Sequence, residues 1–226
     1  MENIATIAAC DSKSPVAEAY RTLRTNIKFA AIGKQLKVLL LTSGTAGEGK
    51  STTCSNLAAV IGQNGQRALI IDCDLRKPGQ HKLFELEARG LSDCLAEGGD
   101  ALAFIQKTKL EGVEVLTAGT AVPYPAELLS SAAMEKLIRT VAEGYDYVLL
   151  DAPPVLPVPD ALELCAYADG VIWVLCSGVE TPQVAREVKT RLEHVGANIV
   201  CVVLNKVEKG SSYGYEYYYN SEEKED

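Results

Sequence analysis

Six short apolar runs recur along the chain: KVLLLT (37–42), ALIID (68–72), VEVLTA (113–118), YVLLD (147–151), GVIWVLC (170–176) and NIVCVVLN (198–205). They are nearly continuous in apolar, β-branched residues, the pattern of strands buried on both faces, and helix-like segments separate them. This alternation predicts βαβ units: an α/β fold with a mostly parallel sheet, helices on both of its faces, and ligands beyond the carboxyl ends of the strands. Ahead of the first run, Ser14 and Pro15 supply an N-cap and a first-turn proline. Val16, Tyr20, Leu23 and Ile27 then recur at helical spacing, which predicts an amphipathic helix over 15–31 whose other face carries Glu18, Arg21, Arg24 and Lys28. After Asn205 the pattern stops, and VEKGSSYGYEYYYNSEEKED reads as a flexible tail (207–226) appended to one domain spanning 1–206.

Composition narrows the class without changing that picture. With 226 residues, 47% hydrophobic and 23% charged, the chain is that of an ordinary globular protein with a sizeable core, which excludes a collagen, a coiled coil or a largely disordered chain. A net charge of -8, from 22 basic and 30 acidic residues, argues against a broad footprint for nucleic acid or anionic lipid. Seven scattered cysteines without a C-x-x-C pair, and only two histidines (His81 and His194), read as reduced thiols and not as a zinc site or a disulfide framework. No signal-peptide stretch and no apolar window of about 20 residues is present, so the expected location is cytoplasmic. Met1 is read either as a natural start or as a boundary within a longer protein.

Chemistry enters with Gly44-Thr45-Ala46-Gly47-Glu48-Gly49-Lys50-Ser51, which satisfies G-x-x-x-x-G-K-[ST] directly after the first apolar run and before a helical segment. Glycines let the backbone wrap a phosphate with its N–H groups, and the helix N-terminus adds a favourable dipole. The motif gives Lys50 the β- and γ-phosphates and the Ser51 hydroxyl the Mg²⁺; Thr52 adds a hydroxyl near the α-phosphate. A dinucleotide fingerprint fits poorly, because the glycines fall in G-x-x-G-x-G order.

Two further apolar runs end in acid. Asp72 and Asp74, two apart on an extended chain, point to one face while Cys73 points away, so both address one ligand. Asp151 arrives at the sheet edge, where a carboxylate holds Mg²⁺, usually through water, and Pro153 and Pro154 stiffen the exit. Phosphoryl transfer needs metal ligands and a group that accepts the nucleophile's proton, roles that Asp72 and Asp74 can divide. Any one such Asp is also a common turn former or cap. Asn205 closes the last run, either to hydrogen-bond adenine or simply to start a turn.

Five of the ten tyrosines, Tyr213, Tyr215, Tyr217, Tyr218 and Tyr219, fall in the polar tail. They read as phosphoacceptors, as an aromatic segment that docks on a partner, or as a strand that pairs with a sheet edge. Eight residues separate Asn205 from Tyr213, an extended reach of about 26–29 Å, so a tail leaving the last strand returns to a phosphate site at the strand ends.

Taken together, TSGTAGEGKST, IIDCDLRKP, VLLDAPP, EAYRTLRTNI and the terminal tyrosines make the chain resemble, over nearly its whole length, the bacterial protein-tyrosine kinases that govern capsule and exopolysaccharide export. The resemblance implies a P-loop fold related to the cell-division and partitioning ATPases, with a deviant Walker A motif and with ATP and Mg²⁺ as cofactors. It makes Lys50 and Ser51 the phosphate and Mg²⁺ contacts, Asp151 a Mg²⁺ contact through water, and Asp72 and Asp74 the candidates for base and second Mg²⁺ contact. Thr45 stands where the partitioning ATPases carry a signature lysine, which favours the kinase branch, and Ala46 replaces a frequent proline. Glu18, Arg21 and Arg24 match the family's E-x-x-R-x-x-R oligomerisation motif; the alternative is a solvated face with an internal Glu18–Arg21 pair.

The family further implies autophosphorylation of the tail in trans within a ring, and activation by the cytoplasmic segment of a separate transmembrane polysaccharide co-polymerase, which would recruit the kinase to the inner face of the plasma membrane. A cognate tyrosine phosphatase is implied as well; the net charge, not the family, argues against a nucleic-acid partner. Eukaryotic kinase signatures H-R-D and D-F-G are absent. Two competing readings share the P-loop: a nucleotide-switched positioning ATPase that passes phosphate only to water, and a non-catalytic scaffold.

Overall fold

The computed structural model describes residues 14–33 and 35–207. Seven strands form one sheet in the order β3-β4-β2-β5-β1-β6-β7: β1 (Val38–Ser43), β2 (Ala68–Asp72), β3 (Gln106–Lys107), β4 (Val113–Leu116), β5 (Tyr147–Asp151), β6 (Gly170–Cys176) and β7 (Ile199–Asn205). All neighbours run parallel except β3, which pairs antiparallel with β4. β3 has no counterpart among the six expected strands, because two polar residues leave no apolar run to read.

Helices cover both faces, as the alternation predicts. On one side lie α1 (Pro15–Ala30) and α2 (Lys50–Gly62), whose Leu23, Ile27, Leu57 and Ile61 pack with Leu39, Ile70 and Leu149 of the sheet. On the other lie α4 (Leu91–Glu97), α5 (Pro125–Leu129), α6 (Ala132–Ala142), α7 (Asp160–Leu164) and α8 (Pro182–His194) over Leu40, Leu69, Ile71, Leu150 and Trp173. The short α3 (Gln80–Phe84) follows the β2 exit. Between α1 and the sheet, α2 is buried on almost every residue, which suits its apolar, small-residue sequence.

Two expectations change. β7 is not buried on both faces: Val202 and Leu204 are 50% and 43% exposed, because β7 is the last strand of the sheet. In α1 the Ser14 Oγ accepts from the Ala17 N–H and Pro15 opens the first turn, but Ala17, not Val16, faces the core, and Val16 is exposed. Arg24 likewise leaves the solvated face, since its guanidinium donates to the Val60 carbonyl of α2 at 2.8 Å. The helix therefore meets α2 along an edge rotated from the one its apolar periodicity suggests.

Candidate active site

β1 carries the chain straight into the loop 44–49, and α2 starts at Lys50. Gly47 and Gly49 adopt φ of +84° and +97°, and a Cβ on Gly49 would also collide with the Asn205 side chain, so these positions require glycine. Ser43 Oγ donates to the Thr45 carbonyl at 2.7 Å. Glu48 turns inward, 1% exposed, and its Oε1 accepts from the Thr45 N–H (2.9 Å) and Thr45 Oγ1 (2.6 Å). Glu48 and Thr45 thus shape the loop from within, while Thr52 stands half-buried in the first turn of α2. From the far side, Asn205 Nδ2 donates to the Glu48 carbonyl and Lys206 Nζ to the Gly47 carbonyl, both at 2.8 Å. That amide nitrogen, read from the sequence either as a contact to adenine or as part of a turn, is engaged with the loop backbone here.

The sheet register then assembles the carboxylates. Asp72 and Asp151 are direct partners across β2 and β5, and Leu41 of β1 lies opposite Asp151, so both acids emerge beside the loop. Asp74 Oδ2 accepts from Lys50 Nζ at 2.8 Å, and Asp151 Oδ1 lies 3.9 Å from the same ammonium. Asp72 is spent differently: Oδ1 accepts from the Asp74 N–H (3.2 Å), and Oδ2 from the N–H groups of Gly79 (3.0 Å) and Gln80 (2.9 Å). It ties down the loop 73–80. Asp74 adds to this through Oδ1, which accepts from the Lys77 N–H.

Electrostatically the site is short of positive charge. Lys50, Asp72, Asp74 and Asp151 are all buried, one ammonium against three carboxylates. Burial works against the Lys50 charge, but Asp151 and Asp74 outweigh it and its pKa stands above the ordinary lysine value. Burial, with the Asp151 charge, pushes Asp72 up to about 7 against its backbone hydrogen bonds. Burial also raises Asp151, opposed by Lys50 and by hydrogen bonds from Ser51 and Gln80. Asp151 Oδ1 accepts no hydrogen bond although it is buried. A buried free oxygen next to the Ser51 hydroxyl, in a cluster with surplus negative charge, is an oxygen-donor set that fits Mg²⁺. Among the described residues no group of three or more His, Cys, Asp or Glu is arranged to hold a metal by itself, so phosphate oxygens would complete the coordination.

Four residues went unread in the sequence. Gln80 is fully buried and its Nε2 donates to Asp151 Oδ2 (2.8 Å) and to the Ser51 carbonyl (3.2 Å), linking both acidic strand ends to the start of α2. Arg76 forms a two-pronged bond to the fully buried Asp160, 2.8 and 2.9 Å, joining the segment after β2 to the one after β5. Arg76 stands inside IIDCDLRKP and Asp160 closes the proline-rich exit from β5, the only signals either gave. Glu180, from the loop between β6 and α8, packs its carboxylate against Gly44, and neither oxygen has a hydrogen-bond partner. Glu18 and Arg21 do not join this site; they pair with each other on α1 at 2.8 Å. Tyr213, Tyr215, Tyr217, Tyr218 and Tyr219 lie outside the described residues.

A mostly parallel sheet with a glycine loop at the end of its interior strand β1, and a buried lysine among strand-end carboxylates, defines a P-loop nucleotide-binding protein. The family model described as an AAA domain matches residues 36–181. The chain is 42% identical over 212 residues to tyrosine-protein kinase YwqD of Bacillus subtilis, covering 92% of this chain and 90% of that protein. It superposes on the chimerical protein CapA2B2 with a TM-score of 0.87 at 36% identity, covering 91% of each chain. Against the kinase domain of the Escherichia coli tyrosine kinase ETK the TM-score is 0.84 at 34% identity, covering 92% of this chain and 84% of that one. The septum site-determining protein MinD of Pyrococcus horikoshii OT3, solved with Mg-ADP, shares the fold at a TM-score of 0.64 and 23% identity, covering 74% of this chain and 69% of that one. The chain belongs to the bacterial tyrosine-protein kinase family and is an enzyme of that class. Among the described residues no helix is long and apolar enough to cross a membrane.

Proposed function

We propose that this kinase uses Mg²⁺ and ATP to phosphorylate tyrosines of its own tail, Tyr213 to Tyr219, on a neighbouring copy within a homo-oligomeric ring. The observation that carries the reading is Lys50 between Asp74 and Asp151 at the end of the loop. In the transfer the tyrosine oxygen forms a bond to the γ-phosphorus, the bond from that phosphorus to the β–γ bridging oxygen breaks, ADP leaves, and the phenolic proton passes to a carboxylate. Lys50 neutralises charge on the β- and γ-phosphates, and Ser51 and Asp151 hold the Mg²⁺ that screens the remainder. Asp72 and Asp74 divide the base and the second metal contact.

The tail leaves the sheet from Asn205 and Lys206, residues that touch the P-loop, and its reach of about 26–29 Å to Tyr213 serves a site in the same copy or the next. Glu18, Arg21 and Arg24 form the oligomer contact, and a transmembrane polysaccharide co-polymerase activates and recruits the enzyme through its cytoplasmic segment, with a tyrosine phosphatase reversing the modification. The relation to the chimerical protein CapA2B2 and to the putative tyrosine-protein kinase CapB of Staphylococcus aureus supports this role in capsular or exopolysaccharide synthesis.

Intact mass and peptide mapping after incubation with Mg²⁺·ATP, with and without an activator segment, test the assignment. Phosphate should appear on Tyr213 to Tyr219 and fall at least about hundredfold in Lys50→Met. Turnover of nucleotide that leaves the tail unmodified, even with an authentic activator, would replace this reading by an assembly ATPase. Asp72→Asn and Asp74→Asn separate the two carboxylates, because the base variant loses transfer while keeping most Mg²⁺·ATP affinity.

A further inference from the structure

Gln80 carries an oxygen that the fold leaves unanswered. The residue opens α3, is fully buried, and its backbone N–H donates to Asp72 Oδ2 at 2.9 Å. Its side-chain nitrogen donates to Asp151 Oδ2 at 2.8 Å and to the Ser51 carbonyl at 3.2 Å. A carbonyl only accepts, and so does a carboxylate, so the amide nitrogen must face these two neighbours and the group cannot be turned end for end. Its oxygen, Oε1, is then buried without a hydrogen-bond partner.

A second orphan belongs to the same network. Asp151 Oδ1 also lacks a donor, and a Cβ on Gly79 would lie 3.8 Å from Ser51 Oγ, so the 79–80 segment rests against the hydroxyl assigned to Mg²⁺. Two buried acceptors left unpaired, beside one ammonium and three carboxylates, call for donors and positive charge from outside the chain. An ordinary buried water would bring donors but no charge. Water held by Mg²⁺ brings both: its oxygen is committed to the metal, so it is left to donate, and Mg²⁺ usually keeps several such waters.

We propose that Gln80 Oε1 accepts a hydrogen bond from water in the Mg²⁺ shell, which makes Gln80 an uncharged member of the metal site beside Ser51 and Asp151. The proposal rests on the Mg²⁺ reading of those two residues given above, and it adds the residue that ties the metal shell to the start of α3. An amide brings no further negative charge, so Gln80 holds the shell without deepening the repulsion among Asp72, Asp74 and Asp151. The two ends of the amide have different roles: the nitrogen sets Asp151, and the oxygen meets the shell.

Calorimetry of ADP binding in Mg²⁺ and in EDTA gives the factor by which Mg²⁺ tightens the nucleotide, with the metal-free affinity of each variant as its own reference. Gln80→Met, which loses both ends of the amide, should lower that factor about tenfold or more. Gln80→Glu keeps an acceptor oxygen and gives up the amide donor, so it should hold or raise the factor. An unchanged factor in Gln80→Met would overturn the proposal, and so would an equal fall in both variants, which would leave Gln80 acting only through Asp151. A parent that binds ADP equally well with and without Mg²⁺ would instead remove the Mg²⁺ reading itself, and the proposal with it. Should Gln80→Met fail to fold, a structure of the parent with Mg²⁺·ADP decides: metal-bound water within hydrogen-bond distance of Oε1 supports the contact, and an Oε1 still without a donor overturns it.

Discussion

The strand-end cluster and the outer face of α1 both carry alternating charges, yet they use them in opposite ways. At the strand ends Lys50, Asp72, Asp74 and Asp151 are buried, and Asp72 is pushed up to about 7. On α1, Arg21 and Glu18 meet at 2.8 Å with side chains 30% and 51% exposed. An exposed pair of this kind contributes a few tenths of a kcal/mol, because water competes for both partners. Buried charges without full compensation cost several kcal/mol and persist where chemistry requires them. The contrast therefore predicts which substitutions matter for the fold, which for the reaction, and which for neither.

Asp72→Ala should produce the largest change in stability. It strips the acceptor from the N–H groups of Asp74, Gly79 and Gln80. Each buried donor left unpaired costs about 1–3 kcal/mol, and relief of repulsion with Asp151 offsets part, leaving about 2–4 kcal/mol by urea denaturation. Asp151→Ala should cost less than Asp72→Ala, since it strips no backbone N–H of its acceptor and Gln80 Nε2, which loses Asp151 Oδ2, keeps the Ser51 carbonyl. Its loss should instead appear as weakened Mg²⁺ dependence of nucleotide binding in calorimetry. Equal destabilisation by both variants would erase the distinction between a carboxylate that builds the loop and one that faces the ligand.

Glu180 tests burial of an acid with no cation beside it. Burial, helped by Glu48, raises its pKa from an ordinary 4.5 to about 7. Below about 4.5 the group is protonated in folded and unfolded chains alike and costs nothing. As pH rises from there through about 7, the unfolded chain ionises first, so the folded state loses stability across that window. Glu180→Gln should remove this loss, and the gap between variant and parent in denaturation midpoint should widen from pH 5 to pH 8. A gap that does not change with pH would mean that Glu180 ionises normally against Gly44.

What the sequence disclosed follows the same division. The apolar runs, the glycine spacing of 44–51 and the acids at 72 and 151 are local patterns, and each fell where the βαβ alternation puts it. Gln80, Glu180 and the Arg76–Asp160 fork were silent because their partners come from other loops, and a polar residue's role there depends on what folds opposite. β7 misled for a related reason: a continuously apolar run looks the same at the middle of a sheet and at its edge. In α1 the periodicity marked a helix but not its rotation, which α2 decides by accepting Arg24 at the Val60 carbonyl. Arg24→Ala should accordingly cost about 1 kcal/mol in the monomer, one net hydrogen bond, before any oligomer contact is considered. No change in monomer stability would return Arg24 to the solvated face.

The smallest effect expected is also the one that separates fold from assembly most cleanly. A double-mutant cycle on Glu18→Ala and Arg21→Ala should give a coupling of about 0.2–0.5 kcal/mol in a dilute monomer, falling further at high salt. If those side chains form the oligomer contact, the same two substitutions should lower the particle mass measured by light scattering at concentrations where the parent assembles, out of proportion to that small coupling. A pair that is only a solvated helix face would leave the mass unchanged. Stability and mass moving together would instead mean that the helix itself is disturbed, and a charge-preserving Arg21→Lys, which keeps the ion pair but loses the planar guanidinium fork, distinguishes that outcome because it should retain monomer stability while weakening a contact built on bidentate geometry.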